Sequence, residues 1–216
     1  LHHYTERDDK QRTFAADTAV GFIFGVGNVG SSLGDIKDAD TFLSTDGGIT
    51  WANVKKGHWT WQYGDQGSIM VLVQRATRKN DVKTKIVSYS VDEGKTWKDM
   101  EFSESEVTVL DITTLKSGTS RNFLLWCRDG NDKMVTINLD FSGLADKPCQ
   151  YNKESTAESD YTLWTPQHPL QTDNCLFGHV SKYLRKKTDR KCYNDQNLKR
   201  LVEHSNCPCK REDFEW

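Results

Sequence analysis

An eight-residue phrase occurs twice in this chain. Ser44-Thr45-Asp46-Gly47-Gly48-Ile49-Thr50-Trp51 returns 46 positions on as Ser90-Val91-Asp92-Glu93-Gly94-Lys95-Thr96-Trp97. A fixed period of this size marks a repeat architecture. Each copy follows a short β-prone run, Thr41-Phe42-Leu43 or Ile86-Val87-Ser88-Tyr89, and precedes more strand-like sequence, so each reads as the turn of a hairpin. The residue types suit that turn. Asp accepts backbone N–H groups two residues on, Gly supplies a positive φ, and the hydroxyls tie down remaining polar groups. Trp then folds back as an apolar plug. The pattern S-x-D-x-G-x-T-W is the Asp-box, and it assigns structural roles to Ser44, Asp46, Gly48, Thr50 and Trp51, and to Ser90, Asp92, Gly94, Thr96 and Trp97.

β-like runs from Trp59 to Tyr63, Ser68 to Arg75, Thr84 to Ser90 and Thr96 to Phe102 give four strands per period. A four-stranded unit repeating at roughly 40–50 residues is a propeller blade, with the Asp-box joining its third and fourth strands. The count restarts with Val107 to Thr113, Asn122 to Arg128 and Met134 to Leu139, and no fourth strand follows. Pro148-Cys149 opens a different composition. The expected fold is therefore all-β: a partial β-propeller over residues 1–147, with two complete blades and one incomplete, then a small disulfide-rich module over 148–216. Such a stack leaves strand edges uncovered. Further blades, and the missing fourth strand, are expected from sequence N-terminal to Leu1.

The 29 basic and 31 acidic residues leave a net charge of −2, so no polyanion-binding surface and no nucleic-acid partner is expected. Seven Trp and 11% aromatic residues argue against disorder. The uncharged stretch Thr18 to Leu33 is interrupted by Gly, Asn and Ser and does not read as a membrane span. Five of the six Cys (149, 175, 192, 207 and 209) crowd the last third, which implies a local disulfide framework and an oxidising compartment. No secretory signal opens at Leu1, and the chain reads as a piece of something longer.

Gly25-Val26-Gly27-Asn28-Val29-Gly30 matches a dinucleotide fingerprint, but no helical periodicity follows it, so a glycine-rich loop between strands is expected. Cys207-Pro208-Cys209 with His204 and His179 lacks the paired knuckles of structural zinc, and no cofactor or metal is expected. Asp-boxes also occur in sialidases. That alternative, a propeller glycosidase, needs clustered arginines; Arg75, Arg121 and Arg128 are present, with nothing in the sequence to gather them. The basic run Lys182 to Lys191 reads as a solvated face. Asn197 to Val202 could form a helical turn, and the sequence leaves its type open.

The whole chain resembles the sortilin family of vacuolar protein-sorting receptors, closest to its fungal members. The resemblance rests on Gly25 to Gly30, Asp40 to Ser44 leading into the first box, Gly64 to Ile69, and the second box. It continues through Asp160 to Trp164, Cys175 to Gly178, Cys207-Pro208-Cys209 and Glu212 to Glu215. It implies the last blades of a ten-bladed propeller plus the first half of a ten-cysteine module. It pairs Cys149 with Cys192 and Cys175 with Cys207, and joins Cys209 to a partner further downstream. One departure stands out: Trp216 occupies the place where the family has Cys. Cys127 has no family counterpart and reads as a buried free thiol.

The function so implied is that of the lumenal ligand-binding segment of a type I sorting receptor, not an enzyme. It would carry protein or peptide cargo such as vacuolar hydrolases from Golgi to endosome or vacuole. Its partners would be that cargo, the remaining blades and the downstream module, with membrane contact only through an anchor absent from this chain. Cargo-contact residues are not assigned. His58, His168, His179 and His204 are candidate sensors of endosomal acidity.

Overall fold

The computed structural model describes residues 1–4, 15–76, 81–170, 172–194 and 198–214. Trp216 lies outside them. The described residues form four antiparallel sheets, four short 3-10 turns and no α-helix. No helix is long and apolar enough to cross a membrane.

The first sheet is built in chain order from β1 (His2–His3), β2 (Ile23–Asn28), β3 (Asp40–Ser44) and β4 (Ala52–Lys55). The second repeats it with β5 (Thr60–Gly64), β6 (Ile69–Val73), β7 (Ile86–Ser90) and β8 (Lys98–Glu101). The third has β9 (Thr108–Thr113), β10 (Asn122–Arg128) and β11 (Met134–Asp140). These are meanders, each strand pairing with the next, as in propeller blades. The first strands of the second and third sheets approach each other: Gln62 Nε2 on β5 donates to the Ile112 carbonyl on β9 at 3.5 Å.

The blades pack face to face, and β6 shows why its sequence is apolar without alternation. Ile69, Val71 and Val73 point into the layer shared with the third sheet, beside Val109, Ile112, Phe123 and Leu125. Met70 and Leu72 point the other way, beside Phe24, Leu43, Trp61 and Tyr63. All five β6 residues are buried, each contributing about 1.5–3 kcal/mol. Phe24 centres the first layer, its ring 5.4 Å from Trp61, 5.5 Å from Tyr63 and 6.2 Å from Trp97.

The glycine-rich run is strand as far as Asn28, and only Val29 and Gly30 lie in a loop. Gly25 and Gly27 lie inside β2, where a side chain is crowded at the first and excluded at the second. A Cβ on Gly25 would stand 3.3 Å from the Trp51 ring, and one on Gly27 would strike the backbone of His2 and His3 on β1. These glycines thus mark a strand crowded on one face.

The fourth sheet holds β12 (Tyr161–Trp164), β13 (His179–Lys186) and β14 (Leu201–Asn206). Of the segment Asn197 to Val202, Leu201 and Val202 lie in β14, and Asn197 lies outside the described residues. The Leu-Val-Glu-His-Ser-Asn sequence of β14 is mostly exposed, and it is held by the edge of β13 through pairs such as Ser181 with His204. The core of this module is small: Tyr161, Leu184 and the half-cystines Cys149 and Cys192.

Candidate functional site

The two Asp-boxes fold alike. In the first, Ser44 Oγ donates to Asp46 Oδ1 at 2.8 Å and accepts the Gly48 N–H at 2.8 Å. The Asp46 carboxylate accepts the Thr50 N–H at 2.9 Å and the Thr50 hydroxyl at 2.5 Å. Trp51 Nε1 donates to the Gly48 carbonyl at 2.9 Å. In the second, Ser90, Asp92, Gly94, Thr96 and Trp97 make the same bonds at 2.8, 2.9, 2.9, 2.6 and 3.1 Å. The Asp reaches four residues on, not two. Two successive left-handed residues, Gly47 and Gly48 or Glu93 and Gly94, coil the loop so that the later N–H faces the carboxylate.

Burial raises the Asp46 and Asp92 carboxyls, but hydrogen bonds from Thr50 and Ser44, or Thr96 and Ser90, outweigh it, and both titrate below the ordinary range. The boxes are therefore fastened carboxylates at a turn, with no proton to give. Trp97 turns onto the face that meets the first sheet, and Gly94 approaches Leu43 so closely that a Cβ there would strike it.

The densest polar chemistry lies where the Cys-rich module meets the blades. Arg185 on β13 donates through Nε and Nη2 to the Val20 carbonyl at 3.1 and 2.8 Å, and through Nη2 to the Thr45 carbonyl at 2.7 Å. Its guanidinium stands 4.6 Å from the Phe22 ring centroid and 4.0 Å from that of Trp164. Burial pushes it down to about 10, against the pull of Glu93 and Asp46. Arg200 donates to the Gln66 side chain and carbonyl, each at 2.8 Å, and to the Leu184 carbonyl at 2.9 Å. Asn194 donates its backbone N–H to Asp65 Oδ1 at 2.8 Å and its amide to the Asp65 carbonyl at 2.6 Å. Asp65 and Gln66 form the tight β5–β6 connection, both in left-handed backbone, with φ 46° and 53°. A cleft lined by Phe22, Gln66, Ser68, Glu93, Arg185 and Lys186 runs along this seam.

The seam was not legible as such. Arg185 and Lys186 belong to the run read as a solvated face, yet Arg185 is 7% exposed and Lys186 Nζ donates to the Cys192 carbonyl at 2.8 Å. The segments that Arg185 grips lie more than a hundred residues away, and no local pattern announces such partners.

The structure joins Cys149 to Cys192 and Cys175 to Cys207, with Cα separations of 4.9 and 6.1 Å. Cys127 is a free, fully buried thiol, and burial pushes it up to about 11. Cys209 is free and exposed. With its sulfur bonded to Cys175, Cys207 has no thiolate to offer zinc. His179 and His204 stack at 4.5 Å, and His204 Nδ1 meets the Ser181 hydroxyl at 3.0 Å. His168 is buried in the module, its Nδ1 accepting the Leu170 N–H at 3.1 Å. His58 is half-buried between β4 and β5, so the four histidines do not share one site. Of the arginines that a glycosidase would need clustered, Arg121 and Arg128 stand apart. Arg121 precedes β10 and donates to the Ser142 and Ala145 carbonyls, whereas Arg128 ends β10 and pairs with Asp132. The strand between them spans roughly 20 Å.

Two family models match. "Sortilin, neurotensin receptor 3" covers residues 1–112 and its C-terminal counterpart covers 114–216. Proteins named vacuolar protein sorting/targeting protein 10 are similar along the whole chain. That of Colletotrichum graminicola is 65% identical over 215 residues, that of Fusarium vanettenii 62% and that of Pyricularia oryzae 56%. Each alignment takes in 100% of this chain and 14% of the relative, so the chain spans about one-seventh of their length.

Proposed function

The chain belongs to the sortilin family, and from that membership we propose that it is part of the lumenal, ligand-binding region of a type I receptor for vacuolar protein sorting. Residues 1–147 are its blade segment and 148–216 the first half of its cysteine module. The family models divide at 112 and 114, within the third sheet; the pairing of β9 with β10 across that point supports a division after β11 instead.

The observation that carries the reading is the fan of blades, with the first strands of the second and third sheets approaching each other, stapled to a disulfide-bonded module. In the full receptor the fan is completed by further blades, and its inner strand edges accept an extended segment of soluble cargo by backbone pairing. Cargo such as a vacuolar hydrolase is bound in the Golgi lumen and given up in a more acidic endosome. The two disulfides fit an oxidising lumen. The buried and bonded chemistry of the chain is used in holding the fold, and none of its side chains is assigned a catalytic role.

The test is cellular and biochemical. Loss of the full-length receptor is expected to divert soluble vacuolar hydrolases into the medium, and the purified lumenal region is expected to capture them near neutral pH. Normal hydrolase retention together with no capture would refute the reading.

A further inference from the structure

Asp65 is a carboxyl poorly served by its surroundings. It is 2% exposed, and its side chain meets Asn194 of the module: Oδ1 accepts the backbone N–H at 2.8 Å, and Oδ2 lies 3.3 Å from the amide nitrogen. Three cations face it, and each is committed elsewhere. Lys186 on β13 donates to the Cys192 carbonyl, Arg200 ahead of β14 to Gln66 and Leu184, and Arg121 ahead of β10 to Ser142 and Ala145. No ion pair with Asp65 forms among the described residues. On the module side, Asn194 Oδ1 is buried and accepts no hydrogen bond. The carboxylate is therefore held by two neutral donors of Asn194 and by no cation, and the second of those donors, at 3.3 Å, is shared with the Asp65 carbonyl and Ser68 Oγ, each at 2.6 Å.

We propose that the junction between the blades and the cysteine module takes up one proton at Asp65, so that acidification tightens the junction rather than opening it. Protonation removes from a dry seam a charge to which no cation is bonded. Burial, opposed by the Asn194 N–H and by Lys186, Arg200 and Arg121, raises the docked carboxyl to about 6. Undocked and hydrated, it would return toward about 4. The docked form therefore holds the proton more firmly, and docking strengthens as pH falls from 7 towards 4. Between pH 7.4 and 5.0 the gain is about tenfold in the docking equilibrium. The inference rests on the seam alone and stands apart from the receptor reading.

The test is hydrogen–deuterium exchange on the full-length lumenal receptor at pH 7.4 and 5.0, corrected for intrinsic exchange. Peptides covering 65–68 and 192–194 are expected to be up to about tenfold better protected at the lower pH. Asp65→Asn, which is neutral at every pH, should lose that pH response. Asn194→Asp places a second carboxylate against the first, so docking should weaken at pH 7.4 and recover at pH 5.0, a larger response than that of the native protein. Protection that is unchanged or lower at pH 5.0 in the native protein overturns the proposal. So does a native-sized response in Asp65→Asn. Should that variant not fold, an Asn194→Asp response no larger than native is decisive against it.

Discussion

Arg185 Nη2 donates to the carbonyl of Val20 at 2.8 Å, across 165 positions of sequence, and so ties the cysteine module to the first blade. Arg185→Ala would leave the Val20 and Thr45 carbonyls without this donor and remove the cation between Phe22 and Trp164. The expected loss is about 2–4 kcal/mol. Arg185→Lys keeps the charge but not the planar fork, and should lose about half as much. Urea unfolding measures both, and faster protease cleavage near residues 145–160 should accompany the Ala variant. Gly21→Ala should act in the same direction, because Gly21 has φ 77° and an added Cβ would collide with the Arg185 guanidinium.

The second Asp-box carries its own internal control. Glu93 holds φ 61°, where the first box has Gly47 at 82°. Glu93→Gly should raise stability by about 0.5–1 kcal/mol, by relieving the left-handed strain of a residue with a Cβ. Thermal unfolding would register it as a higher midpoint, and an unchanged or lower midpoint would refute the strain argument.

Asp92→Asn should remove about 1–2 kcal/mol, since an amide cannot accept from both Ser90 and Thr96 while matching the carboxylate's strength. The pH dependence has a definite sign. The folded carboxyl titrates below its unfolded value, so its contribution is present above about pH 4 and is lost as pH falls through the folded value. Acid titration of native and Asp92→Asn stability should therefore converge below about pH 4 and separate above it.

Cys127 lies at 0% exposure between the second and third sheets, and its thiol is pushed up to about 11. At pH 8 it should resist alkylation in the folded protein and react once the protein is unfolded in guanidinium; mass analysis after trypsin digestion distinguishes the two outcomes. Cys127→Ser should cost about 1–3 kcal/mol by burying a hydroxyl among apolar side chains.

The blades were readable because their information is local. The Asp-box fixes a turn through residues within eight positions, and β6 declares burial on both faces by five apolar residues in succession. Other features were hidden by the same measure. Gly25 and Gly27 looked like loop residues because the Trp51 ring and the β1 backbone that crowd or exclude a side chain lie elsewhere in the chain. β14 carries almost no apolar signal, and its strand conformation comes from the edge of β13. The seam was the least legible of all, since Arg185, Asn194 and Arg200 find their acceptors only after both units have folded.

The two disulfides should not be equivalent, although loop lengths alone make them nearly so. With sequence separations of 43 and 32, the chain-entropy model gives about 4 and 3.5 kcal/mol. Cys149 and Cys192, however, are part of the module's small core beside Tyr161 and Leu184. Cys192 stands two positions before Asn194, and Cys149 is held by the Tyr193 carbonyl at 2.8 Å. Tyr193 lies in turn beneath the Arg121 guanidinium, 4.2 Å from its ring centroid. Replacing Cys149 and Cys192 together by Ala should thus free the strap that presents Asn194 to Asp65, and amide exchange at residues 65–68 should rise in the full-length protein. Replacing Cys175 and Cys207 by Ala frees the Phe177–Gly178 turn, which meets Cys207 and Asp213. Exchange at 65–68 should then stay at its native level. Equal effects of the two double replacements on those amides would mean that the strap is held by packing, with the Cys149–Cys192 bond contributing only to the stability of the module.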